Sequence, residues 1–368
     1  MAPPSHQPDG KTIAGAVLTV AAVYVYFLIF AQFGFLKSVQ AALGDGAAVV
    51  RPIMAAMGIA GVAGSVLAAR VFTIARSGRW FAAGLLVCGA AAAGSMAARS
   101  AVEFQGVALL TGLGAGLTTV MLAAMLRRAV GEAGLGVILG TGTGLAYAFC
   151  NLPAVFAASG ATQAQFALLA VALGLVGGRA LRPRVEVELP ADGDYSRRGT
   201  SAWVLVFSAL VAFDSAAFYV IQHTPALKES LWNGPGRLVL NAGVHLGAAV
   251  LAGWALDRRR LGWMVFAGAV ALLTAGGLIA GGSPVSAAGL LYITGVSAYS
   301  VALVYYPVRG ARPGLAALIY AVAGWGGSTV GIALAEGRHD LPPGWLIAAG
   351  LVIGLGLWGR AGNRRGAT

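Results

Sequence analysis

The chain has 368 residues, of which 58% are hydrophobic and only 10% are charged, and its mean hydropathy is +0.80. Soluble domains usually carry about 25% charged residues, so this composition excludes an ordinary soluble enzyme and indicates a membrane protein. The net charge of +12 lies in short basic clusters between apolar segments. That distribution is typical of membrane topology, so we expect a lipid bilayer around the chain and no nucleic acid as a partner.

Twelve apolar segments follow one another, each close to the roughly 20 residues that cross a bilayer core. The first six helices are predicted over about 12–36, 50–69, 80–98, 105–126, 134–157 and 162–181. The second six are predicted over about 202–222, 235–256, 262–281, 284–308, 313–335 and 342–359. The sequence therefore predicts an all-α membrane protein with a six-helix bundle over 1–181, a polar linker over 182–201 and a second six-helix bundle over 202–368.

The lysines and arginines alternate with these segments in a strongly biased way. Six of the 25 fall on one side of the membrane, namely Lys37, Arg51, Arg99, Lys228, Arg237 and Arg338. All the others fall on the opposite side, together with both termini and the linker. Because short cytoplasmic loops collect lysine and arginine, we predict a multi-pass protein of the inner or plasma membrane with both termini cytoplasmic.

Two local motifs carry a family resemblance. Around the end of the eighth predicted helix, Gly253, Asp257, Arg258 and Gly262 have the spacing G-x-x-x-D-R-x-x-x-G. The fourth helix carries glycines at alternate positions, Gly112, Gly114 and Gly116. With six plus six helices and a central linker, the chain resembles the major facilitator superfamily. The resemblance implies a secondary transporter that works by alternating access, with helices 1, 4, 7 and 10 lining a central cavity.

The chain departs from the pattern of that superfamily at two places. Ala68 stands where the first-half copy of the loop motif has its acidic residue, and the usual helix-4 arginine is missing near Ala108. The second departure puts the proton-coupling role of that arginine in doubt. A non-transporting, carrier-like subunit that binds other membrane subunits is therefore the alternative from a different functional class.

Ionisable residues inside the spans are rare and so are functional candidates. Asp214 and His245 fall near mid-membrane on the consecutive helices 7 and 8, and we expect them to meet within hydrogen-bond reach, directly or through one water. Arg237, Asn241 and His245 recur every fourth residue and share one face of helix 8. The polar stripe is either a network that locks helices 7 and 8 together or a site for a solute or proton.

The resemblance adds candidates on the helices expected to line the cavity. These are Tyr24 and Gln32 on helix 1 and Tyr299 on helix 10, which shares a face with Tyr292. Arg51, with Lys37, Arg99 and Arg237, stands at the predicted outer surface. Such a basic entrance would attract an anionic solute, although snorkelling of these side chains to lipid headgroups explains the same positions.

A metal carrier is a further alternative. Met121 and Met125 lie one turn apart on helix 4, and thioethers together with the His245 imidazole suit Cu(I). Methionine is also common filler in apolar helices. The sequence contains no Ser-His-Asp order, no paired catalytic carboxylates and no nucleotide-binding loop, so we expect neither an enzyme nor a bound cofactor. The leading prediction is a secondary transporter of a small solute, which could be proton-coupled.

Overall fold

The computed structural model describes residues 9–183, 193–232, 234–281, 285–336, 338 and 340–365, and these residues form helices without any strand. The first half contains α1 (Gly10–Leu43), α2 (Ala47–Val71), α3 (Ile74–Ala97), α4 (Ala101–Val130), α5 (Leu135–Cys150) and α6 (Gly160–Ala180). The second half contains α7 (Arg197–His223), α8 (Pro235–Asp257), α9 (Leu261–Ala280), α10 (Val285–Gly310), α11 (Pro313–Ala335) and α12 (Pro343–Arg365). Short helices at Pro153–Phe156 and Pro225–Trp232 follow α5 and α7.

Apart from these short helices, twelve helices are present among the described residues, as the sequence predicts. Ten are long and apolar enough to cross a membrane, and α5 and α12 contain the two shorter apolar stretches. The first helix is longer than predicted, because it continues from Gly10 to Leu43. Residues 184–192 of the predicted linker lie outside the described residues; its last five residues, 197–201, belong to α7.

Helix direction alternates along the chain, so the two sides of the bundle can be named. We call the side where α6 ends and α7 begins the linker side, and the opposite side the far side. The six basic residues that the sequence places apart from the others all fall at far-side helix ends or connections. Large apolar side chains, such as Ile59, Val102, Trp263 and Trp358, are at least 70% exposed in the absence of lipid. They are suited to contact the acyl chains.

Glycine allows the helices to pack with their backbones in contact. A Cβ atom added at Gly112 of α4 would lie 2.0 Å from the carbonyl oxygen of Met57 on α2. Between the halves, a Cβ at either Gly136 of α5 or Gly253 of α8 would lie 2.2 Å from the other glycine's carbonyl oxygen. Both distances are too short for any side chain. Small residues have this role in membranes because hydrophobic burial no longer drives helix association.

Two helices contain a stretch of wider, π-helical winding. It covers Tyr26–Gly34 in α1 and Ile319–Gly326 in α11. The two stretches meet where Phe27 contacts Trp325 edge to face, with 6.3 Å between ring centroids. The Trp325 ring occupies a notch of α2 at Gly61, where a Cβ would lie 2.1 Å from the indole. Because π-helical turns are often found at functional sites, this contact between the halves is a candidate hinge.

Candidate functional site

Asp214 of α7 is the only carboxylate in the middle of a described membrane-spanning helix. Its side chain accepts hydrogen bonds from two tyrosines of α10. The Tyr292 hydroxyl donates to Oδ1 at 2.6 Å, and the Tyr299 hydroxyl donates to Oδ2. The tyrosines lie seven residues apart, two helical turns along one face, so both can reach one carboxylate. Tyr292 and Tyr299 are buried, whereas Asp214 remains partly exposed.

His245 of α8 is buried and makes two contacts. Its Nδ1 atom lies 2.8 Å from the Ser297 hydroxyl on α10. Its ring stacks on Tyr147 of α5, with centroids 4.4 Å apart and planes 1° from parallel. The imidazole therefore joins the second half of the chain to the first at mid-membrane.

Two tyrosines of the first half reach the same stretch of α10. The Tyr147 hydroxyl lies 3.1 Å from the Ser300 hydroxyl, and the Tyr24 hydroxyl donates to the Ser300 carbonyl oxygen at 3.4 Å. The Tyr24 and Tyr147 rings are in tilted contact at 6.3 Å. Together these residues form what we call the central cluster: Tyr24, Tyr147, Asp214, His245, Tyr292, Ser297, Tyr299 and Ser300.

The expected direct bond between Asp214 and His245 is wrong. Among the described residues, Asp214 binds the two tyrosines and His245 binds Ser297, so each of them binds α10 and neither binds the other directly. The physical reason is helix packing. Helix α7 packs mainly against α11 and α12, whereas α8 packs against α5 and α10. Consecutive helices at equal depth therefore need not face each other.

The polar stripe on α8 divides into two parts. Arg237 Nε and Asn241 Nδ2 both donate to the carbonyl oxygen of Leu231, at 3.4 and 3.2 Å. Arg237 also donates to the Ser286 carbonyl oxygen at 3.1 Å. These two residues hold the short helix Pro225–Trp232 against α8 and α10, and only His245 reaches the central cluster.

The remaining candidates are placed as follows. Tyr24 and Tyr299 belong to the central cluster. Gln32 is exposed and makes no hydrogen bond with the described residues. Arg51 forms an ion pair with Glu336, the residue that follows α11, with 2.6 Å between Nε and Oε1, so it links the far-side ends of α2 and α11. Met121 and Met125 are fully buried in the core of α4.

The described residues contain no group of three or more histidine, cysteine, aspartate or glutamate side chains that could hold a metal ion. The copper site of Met121, Met125 and His245 relies on thioethers and stays a prediction. The other basic side chains of the predicted entrance are also bound locally. Lys37 donates to the carbonyl oxygens of Phe156 and Ala158, and Arg99 donates to those of Met96 and Ala98.

Sequence reasoning missed Tyr147, Ser297 and Ser300. Tyrosine near a helix end usually marks the membrane interface, and serine is common at helix contacts in membranes. Neither pattern therefore indicates that these three residues belong to a functional site. The seven-residue spacing of Tyr292 and Tyr299 was visible in the sequence, and it is the feature by which both could have been linked to Asp214.

A group of four aromatic rings lies on the far side of the central cluster. Phe33 of α1 contacts Phe156 and Phe218 at 6.1 and 5.4 Å between ring centroids, and Trp232 contacts the same two rings at 6.5 and 5.5 Å. Phe218 lies one turn beyond Asp214 on α7. We call this set of four rings the aromatic plug. It joins the two halves on the far side of the cluster.

Charged groups connect the two halves on the linker side. Glu132, between α4 and α5, binds Arg127 Nη2 at 2.8 Å and Arg309 Nε of α10 at 3.1 Å. Burial disfavours ionisation of Glu132, but the hydrogen bond from Arg309 and the charges of Arg127, Arg309 and Arg259 outweigh it and lower the pKa of the carboxyl. Arg127 Nη1 also donates to the Arg309 carbonyl oxygen at 2.6 Å. Together these contacts form an ionic lock across the halves.

Asp257 adds a second linker-side contact between the halves. This residue ends α8, and its carboxylate accepts hydrogen bonds from the backbone N–H groups of Gly136 and Val137 at 2.6 and 3.0 Å. It therefore caps the positive end of α5 from the opposite half of the chain. The corresponding position in the first half is Ala68, and the start of α11 has no side-chain cap. Among the described residues, the carboxylate cap is thus present where α8 meets α5 and not where α2 meets α11.

No protein-family model and no curated protein matches the sequence. Solved structures do match over nearly the whole chain. The human organic anion transporter MFSD10 is similar with a TM-score of 0.63 and 15% identity, covering 96% of this chain and 100% of that one. This chain has the major facilitator fold. A bacterial homologue of the iron transporter ferroportin, in an outward-facing state, gives 0.62 at 12% identity, covering 96% and 98%.

The structure of a sugar symporter extends the same comparison. The proton:xylose symporter XylE, bound to a glucose derivative, gives a TM-score of 0.58 at 13% identity and covers 96% of this chain and 94% of that one. The names of these proteins refer to an organic anion, iron and xylose. Since one fold hosts many functions, the match does not identify a solute.

Proposed function

We propose that this protein is a secondary transporter that moves a small solute across the membrane by alternating access. The observation that carries the proposal is the position of the central cluster. It holds the only mid-membrane carboxylate of the described helices, it is built from both halves, and it lies between two different closures. An alternating-access carrier requires this arrangement, because each closure must open while the other stays shut.

The two closures are chemically distinct, which suits independent opening. The far side is closed by the aromatic plug and by the Arg51–Glu336 ion pair. The linker side is closed by the ionic lock around Glu132 and by the Asp257 cap. We assign the linker side to the cytoplasm, with both chain termini there, because most of the lysines and arginines lie on that side.

Asp214 is the residue we assign to coupling or recognition. Ionisable groups at this depth are costly and usually serve ion or substrate pathways. Its carboxylate is partly exposed and is held by two neutral hydroxyl groups, so it can be reached and neutralised when the cluster opens. A symporter and an antiporter would both use a carboxylate placed in this way.

The test measures alternating access without knowledge of the solute. Spin labels at Arg79 and Arg260 report the linker side, and labels at Ala101 and Ala287 report the far side; all four positions are exposed. Both cysteines are first replaced by alanine. Double electron–electron resonance in nanodiscs should show two distance populations for each pair, with one pair widening when the other narrows.

One unchanging distance for both pairs, in every lipid and pH condition, would favour the rival function. That rival is a carrier-like subunit that does not transport, which the alanines at positions 68 and 108 suggest. Co-purification of the wild-type chain with a stoichiometric membrane partner would support the rival further. An isolated chain that exchanges between two states supports the transporter.

A further inference from the structure

The central cluster contains one carboxylate, Asp214, and among the described residues no lysine or arginine forms an ion pair with it. Both of its oxygens accept hydrogen bonds from tyrosine hydroxyls, and the histidine of the cluster, His245, binds Ser297 instead. A hydrogen bond from a neutral phenol stabilises a carboxylate but leaves its charge in a low-dielectric environment, where an uncompensated charge is costly. The site therefore lacks a positive partner.

The rest of the accessible surface in the cluster is aromatic. Tyr24 and Tyr147 are partly exposed, like Asp214, whereas Tyr292 and Tyr299 are buried. The hydroxyl groups of Tyr24 and Tyr147 are directed at Ser300. A ligand that enters here therefore meets a carboxylate and two phenol rings. Aromatic rings attract cations through their negative faces.

Hydrogen-bonding capacity in the cluster is already used internally. Ser297 binds His245, Ser300 binds Tyr147, and the two buried tyrosines bind Asp214. A sugar would have to displace several of these bonds, and an anion would meet charge of its own sign. A cation instead supplies what the site lacks.

We propose that the central cluster binds a small organic cation, an amine or quaternary ammonium, with its charge at Asp214 and its apolar groups on the rings of Tyr24 and Tyr147. The inference rests on the proposed transport function only in calling this ligand the transported solute. Binding itself can be measured separately from transport.

The experiment uses purified full-length protein in detergent and isothermal titration calorimetry. The probes are choline, benzyltrimethylammonium and phenethylammonium. The matched neutral control is 3,3-dimethylbutan-1-ol, which has the shape of choline without its charge. Benzoate and xylose represent anions and sugars. At least one cation should bind, choline should bind more tightly than its neutral analogue, and benzoate and xylose should not bind.

Two sets of variants locate the site. Asp214→Asn keeps the shape of the side chain and should weaken cation binding at least about tenfold, as loss of a charge partner at a desolvated site does. Tyr147→Leu should weaken binding about tenfold through loss of the ring face, whereas Tyr147→Phe keeps the ring and should bind nearly as well as wild type. If Asp214→Asn does not fold, the comparison of Tyr147→Leu with Tyr147→Phe tests the site by itself.

Absence of binding by all three cations, equal binding of choline and its neutral analogue, or tight binding of benzoate or xylose would overturn the cation site. These outcomes are independent of the spin-label distances. Cation binding without any change in the spin-label distances would support the cation site and contradict the transport function. Two populations of spin-label distances, with benzoate or xylose as the ligand that binds, would support transport and contradict the cation site.

Discussion

His245 of α8 lies flat on Tyr147 of α5, with 4.4 Å between ring centroids, and thereby connects the two halves of the chain at mid-membrane. On its other edge the imidazole binds Ser297 of α10, and the Tyr147 hydroxyl binds Ser300, one helical turn further on. Both side chains are therefore held by α10. A movement of α10 relative to α5 would either break these contacts or move His245 and Tyr147 together with α10.

Removal of the hydroxyl that binds His245 should destabilise the protein. In Ser297→Ala the buried Nδ1 atom has no partner, which costs about 1–3 kcal/mol, so we expect a lower apparent Tm in detergent. In a His245→Phe background the same substitution should cost much less, because the ring no longer needs a partner there. The two single variants and the double variant form a cycle. Equal Tm losses in both backgrounds would show that Ser297 and His245 are not coupled.

The close approach of α2 and α4 gives a second prediction. Gly112→Ala places a Cβ 2.0 Å from the Met57 carbonyl oxygen, and the resulting overpacking should cost about 1–3 kcal/mol. Gly106 lies on the same helix with nothing within 4 Å of an added Cβ, so Gly106→Ala is the matched control. The control should keep or raise the Tm, because alanine favours helix by about 1 kcal/mol over glycine. Similar Tm values for both variants would contradict the packing.

The twelve helices could be predicted from the sequence because the length of an apolar span is a local property. Asp214 could be found as well, since a carboxylate at mid-membrane is rare. Its partners could not be predicted from depth alone. Tyr147 contacts residues about 100 and 150 positions further along the chain, and only the tertiary packing of α5, α8 and α10 brings them together.

The stripe of Arg237, Asn241 and His245 shows the same limit in a single helix. The four-residue spacing places the three side chains on one face, yet neighbouring elements decide what they bind. The first two bind the short helix after α7, and the third binds α10. Spacing predicts a shared face; it does not predict a shared partner.

Loss of the Glu132 charge should open the linker side. Glu132→Gln keeps the shape but removes the charge that binds Arg127 and Arg309, so the distance between spin labels at Arg79 and Arg260 should shift toward its longer population. Asp45→Asn is the control, since Asp45 is exposed on the far side. An unchanged distance distribution in Glu132→Gln would show that the lock does not hold the closed state.

The pH dependence of the same lock has a definite sign. Because the pKa of Glu132 is lowered, its charge stabilises the ionic lock fully at any pH above the ordinary glutamate pKa. This stabilisation is lost only as the pH falls through the lowered pKa. Between pH 8 and pH 5 Glu132 should therefore stay ionised, and its titration should not change the distance between spin labels at Arg79 and Arg260. A wild-type shift in this range that Glu132→Gln abolishes would contradict the assignment.

The last prediction concerns Asp214→Asn, which should impair transport more than folding. Asparagine keeps the size of the side chain, and its carbonyl oxygen can still accept from one tyrosine, but the group can neither titrate nor carry charge. Yield and Tm should stay close to wild type. Uptake into liposomes, measured for whichever cation the calorimetry identifies, should fall sharply and lose its dependence on an imposed proton gradient. Tyr299→Phe, which removes one hydrogen bond and leaves the carboxylate, should transport at a reduced rate while keeping that dependence. Wild-type uptake by Asp214→Asn with the same gradient dependence would make Asp214 a structural residue. Aggregation of Asp214→Asn alongside normal folding of Tyr299→Phe would instead show that the charge itself holds α7 against α10.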